Sequence, residues 1–297
     1  MTTLQGIPLA VIGGDARDQI LVRRLAERGA TVDVVGLPVE EAERVRIVED
    51  IPKAVAGKAA ILLPMPGVDL EGRVYAPLHH QPLRLEAAHM ALLAPGVPLF
   101  VGVARSILRQ MALSRGLPLI EVAELDEVAI LNSVPSAEGA LQIAMEKLPI
   151  TIHGSRSMVL GFGRLGLTLT RLLQAMGSRV TVVARDGGHR ARAWEMGAAA
   201  EPLSALADLL AKTDIVFNTV PAPVLGEREL AATNREALIV DLASAPGGTD
   251  FEAARRLGIQ ALLAPGLPGK VAPKTAGEIL ARVYPDLIAR HVPHRDG

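Results

Sequence analysis

The stretch Met158-Val159-Leu160-Gly161-Phe162-Gly163-Arg164-Leu165-Gly166 decides the reading of the chain because of what surrounds it. Met158–Leu160 is a short apolar run that reads as a buried strand. Gly161-x-Gly163-x-x-Gly166 then opens a helix that runs to about Met176. Gly177 stops that helix, and Arg179-Val180-Thr181-Val182-Val183-Ala184 makes the next strand. Alone, the glycine pattern is a weak signal. Inside a strand–helix–strand unit each glycine acquires a mechanical task. Gly161 permits a tight turn, Gly163 lets backbone approach a pyrophosphate, and Gly166 lets the helix pack closely on the strand. Phe162, Arg164 and Leu165 complete this phosphate-binding turn, and the helix N-terminus offers N–H groups and a positive dipole end to the phosphates. The alternative is a tight turn with no ligand, and the complete unit argues against it.

In such a sheet the ligand lies beyond the carboxyl ends of the strands, so the loops there carry the chemistry. After the second strand the chain reads Ala184-Arg185-Asp186. A protein that prefers NAD usually places a carboxylate at this strand end for the ribose 2′-hydroxyl. Ala184 cannot serve, and Arg185 follows at once with Arg190 nearby. A charge-assisted hydrogen bond is worth about 1.5–3 kcal/mol, so one Arg–phosphate contact favours NADP by about ten- to a hundredfold. Asp186 keeps NAD open, and a plain solvated turn is the other reading of Arg185.

After the fourth strand of this half, Asn218-Thr219-Val220-Pro221-Ala222-Pro223 forms a proline-stiffened loop. Thr219, Val220 and Pro221 are expected to hold the nicotinamide ribose and one face of the ring. After the fifth strand, the small residues of Asp241-Leu-Ala-Ser-Ala-Pro-Gly-Gly-Thr-Asp250 let a ligand approach the backbone, with Ala243 as a cofactor contact. Ordinary turn chemistry is the alternative for both loops. After the sixth, Ala264 to Gly277 reads as an irregular Gly/Pro-rich loop carrying Lys270 and Lys274 into the start of a helix. Facing a cleft, such a loop suits an acidic substrate; surface charge is the other reading.

The fold class expected is α/β, with two doubly wound parallel-sheet domains. The second half alternates through strands near 158–160, 180–184, 198–200, 215–218, 238–242 and 261–264, a six-stranded Rossmann pattern. The first half opens on Ile7–Ile12, a Gly13-Gly14-Asp15 turn, a helix over Arg17–Arg28 and a strand at Thr31–Val35. Further strands are expected at Ala59–Leu63, Leu99–Val103 and Leu119–Val122. Its glycines do not form the dinucleotide fingerprint, so a flavodoxin-like scaffold is favoured over a second cofactor site. The domain plan is 1–133 for substrate or partner, 134–148 as a connecting helix, 149–272 for the dinucleotide, and 273–297 as a terminal helix and tail. That helix, with Ile279, Leu280 and Val283 at helical spacing, is expected to return to the first domain, with His291 and His294 in a frayed tail.

Composition removes several classes. The 297 residues are 49% apolar and 21% charged, which is globular. A net charge of -1 with no basic run leaves no electrostatic footprint for nucleic acid. Aromatics make up 2%, few platforms for stacking bases or a flavin ring. Without cysteine there is no disulfide, thiol nucleophile or thiolate metal site. His79-His80 lacks partners at metal-ligand spacing and reads as a surface loop, so no metal is expected. No GxSxG is present. With no signal-like N-terminus or membrane-length apolar run, a soluble, intracellular-type protein is expected, with no membrane partner.

Taken together, these residues resemble the family of dipicolinate synthase A subunits of endospore-forming bacteria. The resemblance covers nearly the whole chain. It rests on Ala10-Val-Ile-Gly-Gly-Asp-Ala-Arg17, Asn132-Ser-Val-Pro-Ser-Ala-Glu-Gly-Ala140, Val159-Leu-Gly-Phe-Gly-Arg-Leu-Gly166, Asp241–Asp250 and Pro265-Gly-Leu-Pro-Gly-Lys-Val-Ala-Pro-Lys-Thr-Ala-Gly277. A looser resemblance extends to alanine dehydrogenases and D-2-hydroxyacid dehydrogenases. The family resemblance implies oxidation of a tetrahydro- or dihydrodipicolinate intermediate to pyridine-2,6-dicarboxylate with reduction of NADP, in the cytoplasm of the mother cell. It also implies the flavoprotein-like B subunit of dipicolinate synthase as partner, and a homo-oligomer is expected.

On that reading the protein must orient two flat rings and neutralise two carboxylates, more than supply a strong base. Lys270, Lys274 and Arg105 are the carboxylate partners, and Ser133, Ser136, Ser244 and Thr275 the hydrogen-bond donors. No residue stands out as general base. Two other classes stay open: an amino- or hydroxyacid dehydrogenase, which would want a His/acid pair not found here, and a nucleotide-binding protein that does no chemistry alone.

Overall fold

The structure is a computed structural model describing residues 2–292, so His294 lies outside the described residues. It divides into two units, residues 1–131 with 272–297, and residues 132–271. In the first unit β1 (Pro8–Ile12) leads through α1 (Ala16–Glu27) to β2 (Thr31–Val35) and β3 (Val45–Ile47). Then follow α2 (Ile51–Val55), β4 (Ala60–Leu62), α3 (Ala87–Met90), β5 (Leu99–Val101), α4 (Ser106–Ser114) and β6 (Leu119–Glu121). The strands form one parallel sheet ordered β3-β2-β1-β4-β5-β6.

Without β3 this order is the flavodoxin-like 2-1-3-4-5; the sequence reading missed only the added edge strand. Val45-Arg46-Ile47 is three residues long with a charge in its middle, too little pattern for a strand. A charge pair holds it in place. Arg46 Nε and Nη2 donate to the two carboxylate oxygens of Asp33 on β2 (3.1 and 2.8 Å), and Lys58 Nζ reaches the same carboxylate at 2.6 Å.

Period-2 alternation builds two cores from one sheet. Leu9, Val11, Val32, Val34, Leu62 and Phe100 face one layer, whereas Ala10, Ile12, Ile61, Leu63, Leu99 and Val101 face the other. The first layer is completed by Leu21 and Leu25 of α1 and by Leu280, Tyr284, Leu287 and Ile288 from the chain's last helix. That helix crosses α1 closely, because a side chain at Gly277 would lie 2.9 Å from Ile20 Cβ and 3.0 Å from the Arg17 carbonyl. Arg24 and Glu278 clasp across the crossing at 2.7 Å.

The division between units falls within α5 (Asp126–Lys147). The helix thus begins eight residues before the connecting helix expected over 134–148. The helix starts near Asp126 and passes through Asn132-Ser133-Val134-Pro135-Ser136. The proline removes one backbone bond in mid-helix, yet buried Val128, Ala137, Ala140 and Ala144 anchor the helix on both sides of it.

The second unit continues through β7 (Arg156–Leu160), α6 (Arg164–Ala175), β8 (Arg179–Val183), α7 (Gly187–Glu195), β9 (Ala199–Glu201) and α8 (Leu206–Leu210). It then runs through β10 (Ile215–Asn218), α9 (Glu227–Ala232), β11 (Leu238–Asp241), α10 (Phe251–Leu257), β12 (Gln260–Leu263) and α11 (Leu267–Val271). Its six parallel strands are ordered β12-β11-β10-β7-β8-β9, the expected doubly wound arrangement. Val159, Val182, Phe217 and Val240 pack beneath α5 and α6, while Met158, Leu160, Val216 and Ile239 face α8 to α10.

Helix α11 replaces the irregular loop expected over 264–277. Leu267 and Val271 lie one turn apart and cover Gly139 of α5, where a side chain would stand 3.1 Å from both, so burial of that pair orders the turn. The last helix, α12 (Pro273–His291), belongs to the first unit. His291 is not frayed: its ring packs edge-on against Phe100 at 5.7 Å and its Nδ1 lies 2.8 Å from the Leu287 carbonyl oxygen.

Candidate active site

The loops at the carboxyl ends of β7, β8, β10 and β11 form the candidate site in the second unit, and the glycine turn has the geometry its spacing requires. Gly161 has φ +85°, and a side chain there would meet Thr219 Oγ1 at 2.6 Å. At Gly166 a Cβ would stand 2.3 Å from the Gly161 carbonyl, so the helix–strand approach needs glycine. Gly163 differs, since a Cβ there meets nothing within 4 Å and the space beside it is open. Gly163 is also the N-cap of α6, and no side chain caps that helix. A tight turn, an uncapped helix start and open space over the middle glycine fit a dinucleotide pyrophosphate. Phe162 is buried with its ring edge-on to His189 at 6.4 Å, Leu165 is half-buried, and Arg164 is exposed.

At the end of β8, Ala184 is buried and Arg185 exposed. Arg190 folds back so that its Nη1 donates to the carbonyls of Ala184 (2.9 Å) and Arg185 (2.7 Å). Asp186 is committed elsewhere, capping α7 by accepting from the His189 amide at 2.8 Å. That backbone N–H holds the Asp186 carboxyl below the usual carboxylate range.

The loops after β10 and β11 are stitched together. Thr219 donates through its hydroxyl to the Leu160 carbonyl (2.7 Å), fixing the β10 loop against the glycine turn. Asn218 clasps Val220, accepting from its amide at 3.0 Å and donating to its carbonyl at 3.2 Å. Asp241 is fully buried and accepts from the Ala243 amide (3.1 Å), the Gly248 amide (2.8 Å) and the Thr249 hydroxyl (2.7 Å). The Gly248 carbonyl in turn accepts from the amides of Val224 and Leu225, each at 3.0 Å. Pro221 and Ser244 lie exposed on the loops so fixed, and Ala243 is buried at the base of its loop.

The sequence reading places Asn218 and Asp241 at strand ends and Thr249 in a loop, and gives none of them a role in the site. The signal for the first two was available: each is a polar group ending an otherwise apolar central strand, Ile-Val-Phe-Asn218 and Leu-Ile-Val-Asp241, where burial demands partners.

The remaining candidates divide between the units. Lys270 is exposed on α11, and half-buried Ser136 sits on α5. Ser133 is 3% exposed and its hydroxyl lies 2.6 Å from Thr168 Oγ1 of α6, which makes it a helix–helix contact rather than a surface donor. In the first unit Arg105 is exposed at the carboxyl end of β5 as the N-cap of α4, while Lys274 and Thr275 are exposed in the first turn of α12. His79 and His80 are exposed, and among the described residues no group of three potential ligands could hold a metal ion. No helix among the described residues is long and apolar enough to cross a membrane.

A doubly wound unit carrying a dinucleotide turn, joined to a second doubly wound unit, defines an NAD(P)-dependent oxidoreductase. Comparison with known families agrees: residues 136–247 match the NAD-binding domain of D-isomer-specific 2-hydroxyacid dehydrogenases, and residues 8–123 match the N-terminal domain of the dipicolinate synthase A subunit. The chain belongs to the family of dipicolinate synthase A subunits. It is 39% identical to the A subunit from Bacillus subtilis (strain 168) over 291 residues, covering 96% of this chain and 97% of the relative. The crystal structure of the A subunit from Bacillus halodurans is 36% identical and superimposes with a TM-score of 0.94, over 97% of this chain and 99% of that one. An L-alanine dehydrogenase at 14% identity, with a TM-score of 0.64 over 96% of this chain and 89% of its own, shares the fold alone.

Proposed function

We propose that this chain oxidises a dihydrodipicolinate intermediate to pyridine-2,6-dicarboxylate with NADP as hydride acceptor, in the mother-cell cytoplasm during spore formation. Family membership across nearly the whole chain carries the reading. A nicotinamide cofactor held at the candidate site would supply the hydride acceptor, with the proton lost to solvent and aromatisation as the driving force.

The chain's own contribution is binding and orientation. Uncapped amides at the start of α6, with Gly163 open above them, take the pyrophosphate. Exposed Arg185, with Arg190 behind it, takes the ribose 2′-phosphate; the commitment of Asp186 to α7 supports NADP over NAD. Thr219, Val220, Pro221 and Ala243 border the nicotinamide end. Lys270, Lys274 and Arg105 neutralise the substrate carboxylates, with Ser136, Ser244 and Thr275 as hydrogen-bond donors. Ser133 is left out because Thr168 already engages it. The partner is the flavoprotein-like B subunit of dipicolinate synthase.

The test follows absorbance of the reduced nicotinamide while freshly made dihydrodipicolinate precursor is supplied, with the B subunit present or withheld. Turnover by this chain alone is expected, and Lys270→Ala and Lys274→Ala should each lower kcat/KM for the dicarboxylate by about tenfold or more, the size of one lost charge-assisted contact. Unchanged efficiency in both variants removes the lysines from the site. Dinucleotide binding without turnover in either condition would leave only a nucleotide-binding role.

A further inference from the structure

A dinucleotide bound in this fold lies along the carboxyl edge of the second sheet, its adenosine half over β7 and β8 and its nicotinamide half over β10 and β11, as the two halves of a doubly wound sheet dictate. On the nicotinamide side, two adjacent strands end in polar residues in register, Asn218 opposite Asp241. Neither side chain reaches into solvent; both are fully buried and turn back on their own loops.

We propose that Asp241 is a positioning residue, its buried carboxylate fixing the Ala243–Thr249 loop so that the loop can hold the nicotinamide end of the cofactor. Three observations converge. The carboxyl accepts from three donors spread over that loop, the amides of Ala243 and Gly248 and the hydroxyl of Thr249, at 2.7–3.1 Å. Gly247 lies so close above it that a Cβ would stand 3.0 Å from Oδ2. Gly248, held through its amide by Asp241, presses on the neighbouring loop: a Cβ there would meet the Ala222 carbonyl at 2.5 Å, Asn218 Nδ2 at 2.6 Å and the Val220 carbonyl at 2.7 Å. One carboxylate therefore sets both the β11 loop and its contact with the Thr219–Pro223 loop. Without it at least two backbone amides would lose their acceptor, and the loops would lose their mutual register. The sheet beneath does not depend on it, since every donor to Asp241 belongs to the loop.

The test separates the two halves of the cofactor and needs no substrate, so it stands apart from the reading of the reaction. Asp241→Asn keeps the shape but turns an amide NH2 toward the loop donors; Thr249→Val removes one donor only, and Thr249→Ser restores it. For each variant, affinity for adenosine 2′,5′-bisphosphate reports the adenosine half. Affinity for NADPH and its nicotinamide emission at saturation report the other half; 5′-AMP and NADH are used if wild type prefers NAD. The expected result is fragment affinity unchanged, reduced-dinucleotide affinity about tenfold weaker in Asp241→Asn, as for one lost charge-assisted bond, and the bound-state emission change reduced. Thr249→Val should shift the same way by less, with recovery in Thr249→Ser. Parallel loss of fragment affinity would make Asp241 a general stabiliser and overturn the proposal. So would wild-type emission and affinity in both Asp241→Asn and Thr249→Val. If Asp241→Asn does not fold, the Thr249 pair decides by the same readings.

Discussion

A single residue's task here depends on whether its polar atoms are already engaged. Asp186 and Arg185 are neighbours at the end of β8, yet one carboxylate is committed to a helix cap and the other side chain is exposed. On the proposed reading Arg185 is the cation that meets the ribose 2′-phosphate, beside a carboxylate that the His189 amide already engages. Replacing Arg185 by Ala is expected to raise KM for NADP by about ten- to a hundredfold while leaving KM for NAD nearly unchanged. The measurement is steady-state kinetics with both dinucleotides, and equal effects on the two would remove Arg185 from the phosphate site. Residue-level legibility followed the same division. Gly161, Gly163 and Gly166 were readable because their tasks follow from local geometry. Ser133 was not, because its neighbour Thr168 lies 35 positions away and only packing brings the hydroxyls together.

Among the elements, the α1–α12 crossing holds the least ordinary group. Asp18 of α1 is buried, accepts from the Asp15 amide at 2.9 Å, and lies near Arg17 and the Tyr284 ring of α12. Burial pushes its carboxyl from 3.8 up to about 7, against the lowering effects of the Asp15 amide and Arg17. Tyr284 is likewise pushed up, chiefly by burial and then by Asp18. A raised value means the folded state holds this proton more tightly than the unfolded chain. The stabilisation is therefore complete below the unfolded value of 3.8 and is lost as pH rises through about 7. Wild type should show Tm falling across that window, and Asp18→Asn, which keeps an acceptor for the Asp15 amide, should flatten the fall. Thermal melts at fixed ionic strength decide it; identical slopes would show that Asp18 is not the group responsible. Element boundaries that rested on apolar periodicity and glycine stops, such as β2 and the end of α6, were legible from sequence. The start of α5 and the existence of α11 were not. Each is ordered by burial against another segment, which overrides Pro135 in one case and a Gly/Pro-rich run in the other.

At the scale of the whole molecule, the chain leaves the first unit, builds the second, and returns to finish the first. Tyr284, Leu287 and Ile288 of α12 share one core with Val11, Leu25 and Phe100. A fragment of residues 126–271 should thus melt cooperatively and bind the dinucleotide alone. Residues 1–131 should need 272–292 supplied, by fusion or as a separate peptide, before they fold. Circular dichroism melts of the fragments test this, and a stable, cooperative 1–131 would show that α12 is dispensable to that core.

By itself the sequence determined the α/β class, the six-strand alternation of the second unit, the dinucleotide turn and the family. The first three are written in short-range order, in period-2 and period-3.6 apolar patterns and in glycines whose tasks lie within a few residues, whereas the family rested on the resemblance of whole motifs. Tertiary structure alone decided which polar groups remain available for chemistry. It withdrew Ser133 by setting it against Thr168, 35 positions away, and it pressed the β11 loop at Gly248 onto Asn218, Val220 and Ala222 of the β10 loop. The physical reason is that contacts between distant segments depend on where packing brings helices and strand ends, and no local pattern records that.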